Sequence, residues 1–180
     1  LQSGDGVVAS DSGLQFFDLK TGGKIQRESV QVDWTPEQID KQGYPHYMLK
    51  EIFEQPQTLV DTLNANVDRA HADAFRLASQ PGVDLLNQAK EITLVACGSS
   101  WHAALLGKYW IEHWGGIRVS VELASEYRYR DPAIVDGELV LAISQSGETA
   151  DTLAVMTELR KRGIPTLSVT NVRQSTITRE

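Results

Sequence analysis

The second half of this 180-residue chain predicts an α/β fold: a parallel sheet with helices on both faces, Rossmann-like and incomplete. Two observations predict it. Four short apolar runs follow one another after Lys90. Stretches of helical period separate them, and strands alternating with helices in this rhythm build parallel sheets with crossover connections.

Ile92-Thr93-Leu94-Val95-Ala96 has the continuous apolar character of a strand covered on both faces. A helix is expected over Trp101–Trp114, ended by Gly115-Gly116. Val119–Glu122 reads as the second strand and Ala124–Tyr129 as a short helix that stops before Pro132. Leu139–Ile143 is the third strand. A helix over Thr149–Arg162 follows, closed by Gly163, with Leu153, Met156 and Leu159 on one face and Lys161 and Arg162 suiting its C-terminal dipole. Thr166–Val169 is the fourth strand.

The first half differs. Val7-Val8-Ala9 and Leu14–Phe17 flank the turn signal Asp11-Ser12-Gly13, and Thr21-Gly22-Gly23 marks another turn, so a short β-hairpin segment is expected. Trp34, Pro36, Gly43 and Pro45 punctuate a linker. Helices are then expected at His46–Gln55, stopped by Pro56, at about Thr58–Ser79, and at Val83–Lys90 after the breaker Pro81-Gly82.

A net charge of −7 argues against a nucleic-acid or anionic-membrane partner. No apolar run approaches the ~20 residues of a membrane helix. The single cysteine, Cys97, precludes an internal disulfide framework and suits a reducing cytoplasm. Leu1 in place of an initiator methionine is expected of a processed chain or of an internal piece.

Two loops carry the chemistry. Ligands of open parallel sheets bind at the carboxyl ends of the strands. There stand Cys97-Gly98-Ser99-Ser100, after the first strand, and Ser144-Gln145-Ser146-Gly147-Glu148-Thr149, after the third. The second loop gathers three hydroxyls at a helix start, where unpaired N–H groups and a partial positive charge suit a phosphate. Alternatively, Ser146 or Thr149 merely caps the helix. Neither loop matches a dinucleotide or NTP phosphate motif, and no cofactor is implied. His46, His71, His102 and His113 lack metal spacing. Trp101, Tyr109, Trp110 and Trp114 read as helix-packing residues. Glu126, Arg128 and Arg130 fit a site lining, a subunit contact or a salt-bridged turn equally well.

Ser144–Thr149 followed by Ala150-Asp151-Thr152 resembles the hallmark loop of the sugar isomerase (SIS) domain of the glutamine–fructose-6-phosphate aminotransferase family, the isomerising glucosamine-6-phosphate synthases. His46–Ile52 with Glu54-Gln55-Pro56, and Glu122–Arg130, also resemble segments of that family. The resemblance implies that residues 1–36 end a glutaminase domain, 37–45 form the linker, 46–90 a helical lead-in, and 91–180 a truncated first SIS domain. It implies that Ser144, Gln145, Ser146 and Thr149 grip the phosphate of fructose 6-phosphate or glucosamine 6-phosphate, with Ser99 and Ser100 completing the sugar contacts. Ser99 stands where the family commonly has Thr. The glutaminase cysteine, Schiff-base lysine, glutamate base and ring-opening histidine find no match here, so this stretch alone is expected to be inactive. The family reading also implies a homodimeric, cytoplasmic parent and the remainder of the synthase polypeptide as partner. An SIS-domain sugar-phosphate sensor, or a deglycase or isomerase relative, is the alternative.

Overall fold

The computed structural model describes residues 1–2, 4–28, 40–67 and 80–179. Two compact units divide the chain, Leu1–Thr62 and Leu63–Glu180. The linker reading at 37–45 falls partly outside the described residues, as do Trp34, His71 and the 68–79 part of the expected helix.

In the first unit, β1 (Asp5–Ser10) and β2 (Gly13–Asp18) pair antiparallel around a two-residue turn, in the register Asp5↔Asp18 to Ser10↔Gly13. The two-residue strand β3 (Lys24–Ile25) adds to β2. The turn between β2 and β3 is built by Asp18, whose Oδ1 accepts the N–H groups of Lys20 and Thr21, each at 2.8 Å. Arg27 grips Asp5 with two hydrogen bonds and holds its carboxyl down at about 2.

Helix α1 (Tyr47–Asn66) is continuous through Pro56, so the stop expected there does not occur. Proline costs a helix one N–H bond and a ring clash, a local penalty of about 3 kcal/mol that surroundings can override. Beyond it, the hydroxyls of Thr58 and Thr62 donate back to the carbonyls of Gln55 and Thr58 at 3.0 and 2.7 Å. At its start, Lys50 Nζ donates to the carbonyl of Asp40 at 2.7 Å, and Tyr44 stacks on Phe53.

The second unit holds the α/β fold. Helix α2 (Gln80–Gln88) includes Pro81-Gly82, so the break expected there does not occur. Then follow β4 (Glu91–Ala96), α3 (Gly98–Trp110) with a π-helical turn at Ile111–Gly115, β5 (Arg118–Leu123) and α4 (Ala124–Tyr127). The chain continues through β6 (Glu138–Ser144), α5 (Ala150–Lys161) and β7 (Thr166–Thr170) to a one-turn helix, α6 (Thr176–Arg179). The four strands form a fully parallel sheet in the order β5-β4-β6-β7.

Alternate residues of the strands fill two cores. Ile92, Leu94, Val119 and Leu139 pack with Ala104 of α3, flanked by Leu85 and Leu86 of α2. Val95 and Val140 pack on the other face with Ala124 and Tyr127 of α4 and Val155 and Leu159 of α5. Burial on both faces is why these strands read as unbroken apolar runs. The polar exception is self-contained: Thr93 Oγ1 donates to Glu138 Oε1 at 2.6 Å, and the Val135 N–H donates to the second oxygen at 3.0 Å.

The aromatic residues of α3 do not all pack as expected. Tyr109, Trp110 and Trp114 are 65%, 55% and 74% exposed, with Trp110 and Trp114 stacked on each other. Helical period alone does not say which face a neighbour will cover.

Tyr127 is 4% exposed, and its hydroxyl has no hydrogen-bond partner among the described residues. Burial, with Glu138 nearby, pushes its pKa up to about 12. Replacing an unsatisfied buried polar group by an apolar one of the same shape is nearly neutral or stabilising. Tyr127→Phe is therefore expected to leave unfolding free energy within about 1 kcal/mol of the unsubstituted chain or above it. It should also remove the tyrosine ionisation near pH 12 from an ultraviolet titration. A larger loss of stability would contradict the unpartnered hydroxyl.

Candidate functional site

The sheet order places a topological switch point between β4 and β6. From β4 the chain leaves through α3 to β5 on one side; from β6 it leaves through α5 to β7 on the other. The two helices pack on opposite faces, so a crevice opens beyond the carboxyl ends of the central pair. An open cavity of about 270 Å³ lies there, lined by Ser99, Ser100, Ala103, Ile143, Ser144, Gln145 and Val169–Asn171.

The floor of the first wall is α3. Its N-cap residue, Cys97, is extended and makes no side-chain cap, and Gly98 takes a left-handed φ of 58° that turns the strand straight into the helix. The helix therefore begins at Gly98 rather than at Trp101, and Ser99 and Ser100 occupy its first turn instead of a preceding loop. First-turn N–H groups without a side-chain cap are donors open to a ligand oxygen.

The second wall is the Ser144–Thr149 loop. Ser144 is 3% exposed, and its Oγ accepts the Gly147 N–H at 3.0 Å and lies 3.2 Å from Thr149 Oγ1. Ser146 Oγ accepts the Glu148 N–H at 3.1 Å. Thr149 occupies the N-cap of α5 without a side-chain cap bond. Of the six residues singled out in the sequence, Ser99, Ser100, Ser144 and Gln145 line the cavity together. Ser146 and Thr149 belong to the same loop but lie outside the lining.

The third wall was missed. Val169, Thr170 and Asn171 close the cavity from the end of β7, where the Asn171 N–H donates to the Gln145 carbonyl at 3.2 Å. A polar strand end without a glycine-rich loop gave no signal in the sequence beyond its place at the sheet edge.

The lining contains hydroxyls, an amide pair and apolar groups, and no charged side chain. Attraction for an anion must come from peptide dipoles and neutral donors. The basic residues stand elsewhere. Arg128, Arg130 and Arg162 border a separate hollow against α5, each paired with a carboxylate: Asp151 at 3.0 Å, Glu122, and Asp131 at 3.1 Å respectively. Lys108 pairs with Glu112 on α3. No cluster of metal-ligating side chains exists among the described residues, and none of the described helices is long and apolar enough to cross a membrane.

The sequence profile of the SIS domain matches residues 85–180. The glutamine–fructose-6-phosphate aminotransferase (isomerizing) of Symbiobacterium thermophilum is 47% identical over 161 residues, 88% of this chain and 26% of the relative. That of Thermus thermophilus is 42% identical over 181 residues, 100% of this chain and 29% of the relative. The chain thus spans less than a third of the length of the curated relatives it matches. Among solved structures, the C-terminal domain of glucosamine-fructose-6-phosphate aminotransferase from Francisella tularensis superposes with a TM-score of 0.72 at 43% identity, over 78% of this chain and 39% of that one. The sugar isomerase domain of an RpiR transcription factor from Sphaerobacter thermophilus shares the fold at a TM-score of 0.50 and 19% identity, over 70% of this chain and 71% of that one.

The loop geometry makes a local demand at Gly147. Its φ is 66°, and an added Cβ would overlap Ser175 Oγ and approach Ile177 Cγ2 at 2.9 Å. Both opponents are themselves fixed, being 1% and 2% exposed. Gly147→Ala is expected to destabilise the chain by about 1–3 kcal/mol, through left-handed strain and overpacking together. Denaturant unfolding measures it, and an unchanged midpoint would contradict the close approach.

Proposed function

This chain belongs to the SIS-domain family, and we propose that it is the phosphosugar-gripping segment of a glutamine–fructose-6-phosphate aminotransferase (isomerising). The parent reaction makes glucosamine 6-phosphate from fructose 6-phosphate and glutamine. The share of that reaction assigned to these residues is binding and orientation. The observation that carries the reading is a single one: two hydroxyl-bearing strand ends, one opening a helix whose N-cap side chain makes no bond, face one cavity at the switch point.

In this reading Ser99, Ser100, Ser144, Gln145, Ser146 and Thr149 hold the phosphate and the adjoining sugar oxygens. The first-turn N–H groups of α3 add a partial positive charge of about half an elementary unit. A dianionic phosphate is matched by many neutral donors, and the sugar's reacting carbons extend away from them toward groups supplied by other parts of the synthase. A cytoplasmic, homodimeric parent that receives ammonia from a glutaminase domain completes the proposal. The likeness to full-length synthases runs through the β1–β3 segment as well as the SIS domain, which favours the synthase over a sugar-phosphate sensor.

Ser99 and Gln145 test the reading with little risk to the fold, because both are exposed at the cavity rim. The double variant Ser99→Ala/Gln145→Ala is expected to weaken fructose 6-phosphate binding by at least about tenfold, since each hydrogen bond to a charged group is worth about 1.5–3 kcal/mol. Isothermal calorimetry measures it. Unchanged affinity would overturn the reading.

A further inference from the structure

The hydroxyl-rich loop is held from outside as well as by the hydrogen bonds of its own hydroxyls. Three of its residues are hooked onto the segment that follows β7. The Gln145 carbonyl accepts the Asn171 N–H at 3.2 Å, and the Gly147 carbonyl accepts the Ile177 N–H at 3.1 Å. Between them, Glu148 Oε1 accepts the Thr176 N–H at 2.7 Å. The first two contacts are backbone bonds that any sequence can make. The third is the one contributed by a loop side chain.

Glu148 is exposed, yet its carboxylate is committed. Hydrogen bonds from the side chain and backbone of Thr176 hold it below the ordinary range of a glutamate. The N–H it accepts belongs to the first residue of α6, where the helix itself offers no acceptor. The charge of Arg179 also favours the Glu148 carboxylate, but phosphate binding gives no reason for an acid here. A negative charge beside a phosphate site opposes binding, and the α5 N-terminus already has Asp151 in its first turn.

We propose that Glu148 is a positioning residue for phosphosugar binding, fastening the Ser144–Thr149 loop to the Asn171–Ile177 segment so that the loop's donors stand ready for the phosphate. The inference rests on the cavity reading given above and names a residue that does not line the cavity. Its physical content is preorganisation. A loop already fixed in its binding geometry loses little further entropy when the ligand arrives.

The sign of the effect distinguishes positioning from charge. Removing a carboxylate near an anion site should by charge alone strengthen binding; removing a fastening should weaken it. Three chains are compared by calorimetry with fructose 6-phosphate and with inorganic phosphate: unsubstituted, Glu148→Ala and Glu148→Gln. Glu148→Ala is expected to bind both ligands about tenfold more weakly, with faster amide exchange at Thr176 and Ile177. Glu148→Gln keeps an oxygen acceptor and loses the charge, so it should bind as tightly as the unsubstituted chain or more tightly. Binding by Glu148→Ala equal to or tighter than that of the unsubstituted chain overturns the proposal, as does a Glu148→Gln chain as weak as Glu148→Ala. Absence of binding by the unsubstituted chain would instead overturn the cavity reading, and this inference with it.

Discussion

The parallel pairing of β4 with β6 is the constraint on which the site depends. Their register aligns Ala96 with Ile143, so the two strands end side by side. The connections that follow must then diverge, because α3 and α5 are needed on opposite faces to cover Leu94 and Leu139 on one side and Val95 and Val140 on the other. The crevice is the space this divergence leaves. Burying the two faces of the sheet and opening a ligand cavity are consequences of the same chain path.

In the proposed reading the cavity would meet an anion without cations. A chain of net charge −7 with no charged residue in the lining would rely on helix dipoles, main-chain N–H groups and hydroxyls to do so. Such donors are fixed in place by folding and need little reorganisation. The arginines of the α4–α5 face illustrate the contrast. Each is matched by a carboxylate, so the hollow they border has little positive charge left to offer. In the same reading, the bonds that tie the Ser144–Thr149 loop to Asn171 and to the first residues of α6 follow the same logic, since neutral donors work only if their geometry is kept.

Much of this was legible in the sequence. The strands were visible because burial on both faces leaves unbroken apolar runs, and the two loops because serine and glycine cluster at their ends. What was hidden has identifiable causes. Pro56 carries a local stop signal that the surrounding helix overrides. Gly98 admits a left-handed turn that starts α3 three residues early and moves Ser99 and Ser100 into the helix. The segment from Asn171 to Arg179 has no period at all; it acts through backbone N–H groups, which every residue but proline carries alike. Tyr109, Trp110 and Trp114 show the limit of periodicity from the other direction, since an apolar helical face need not be a covered one.

The central claim is a location, and a crystal structure of the chain bound to fructose 6-phosphate tests it directly. Phosphorus density is expected in the cavity between Ser99–Ser100 and Ser144–Gln145, with oxygens within hydrogen-bond distance of the first turn of α3 and no cationic side chain in contact. Density for the phosphate in the hollow beside Arg128, Arg130 and Arg162, with the switch-point cavity empty, would contradict it.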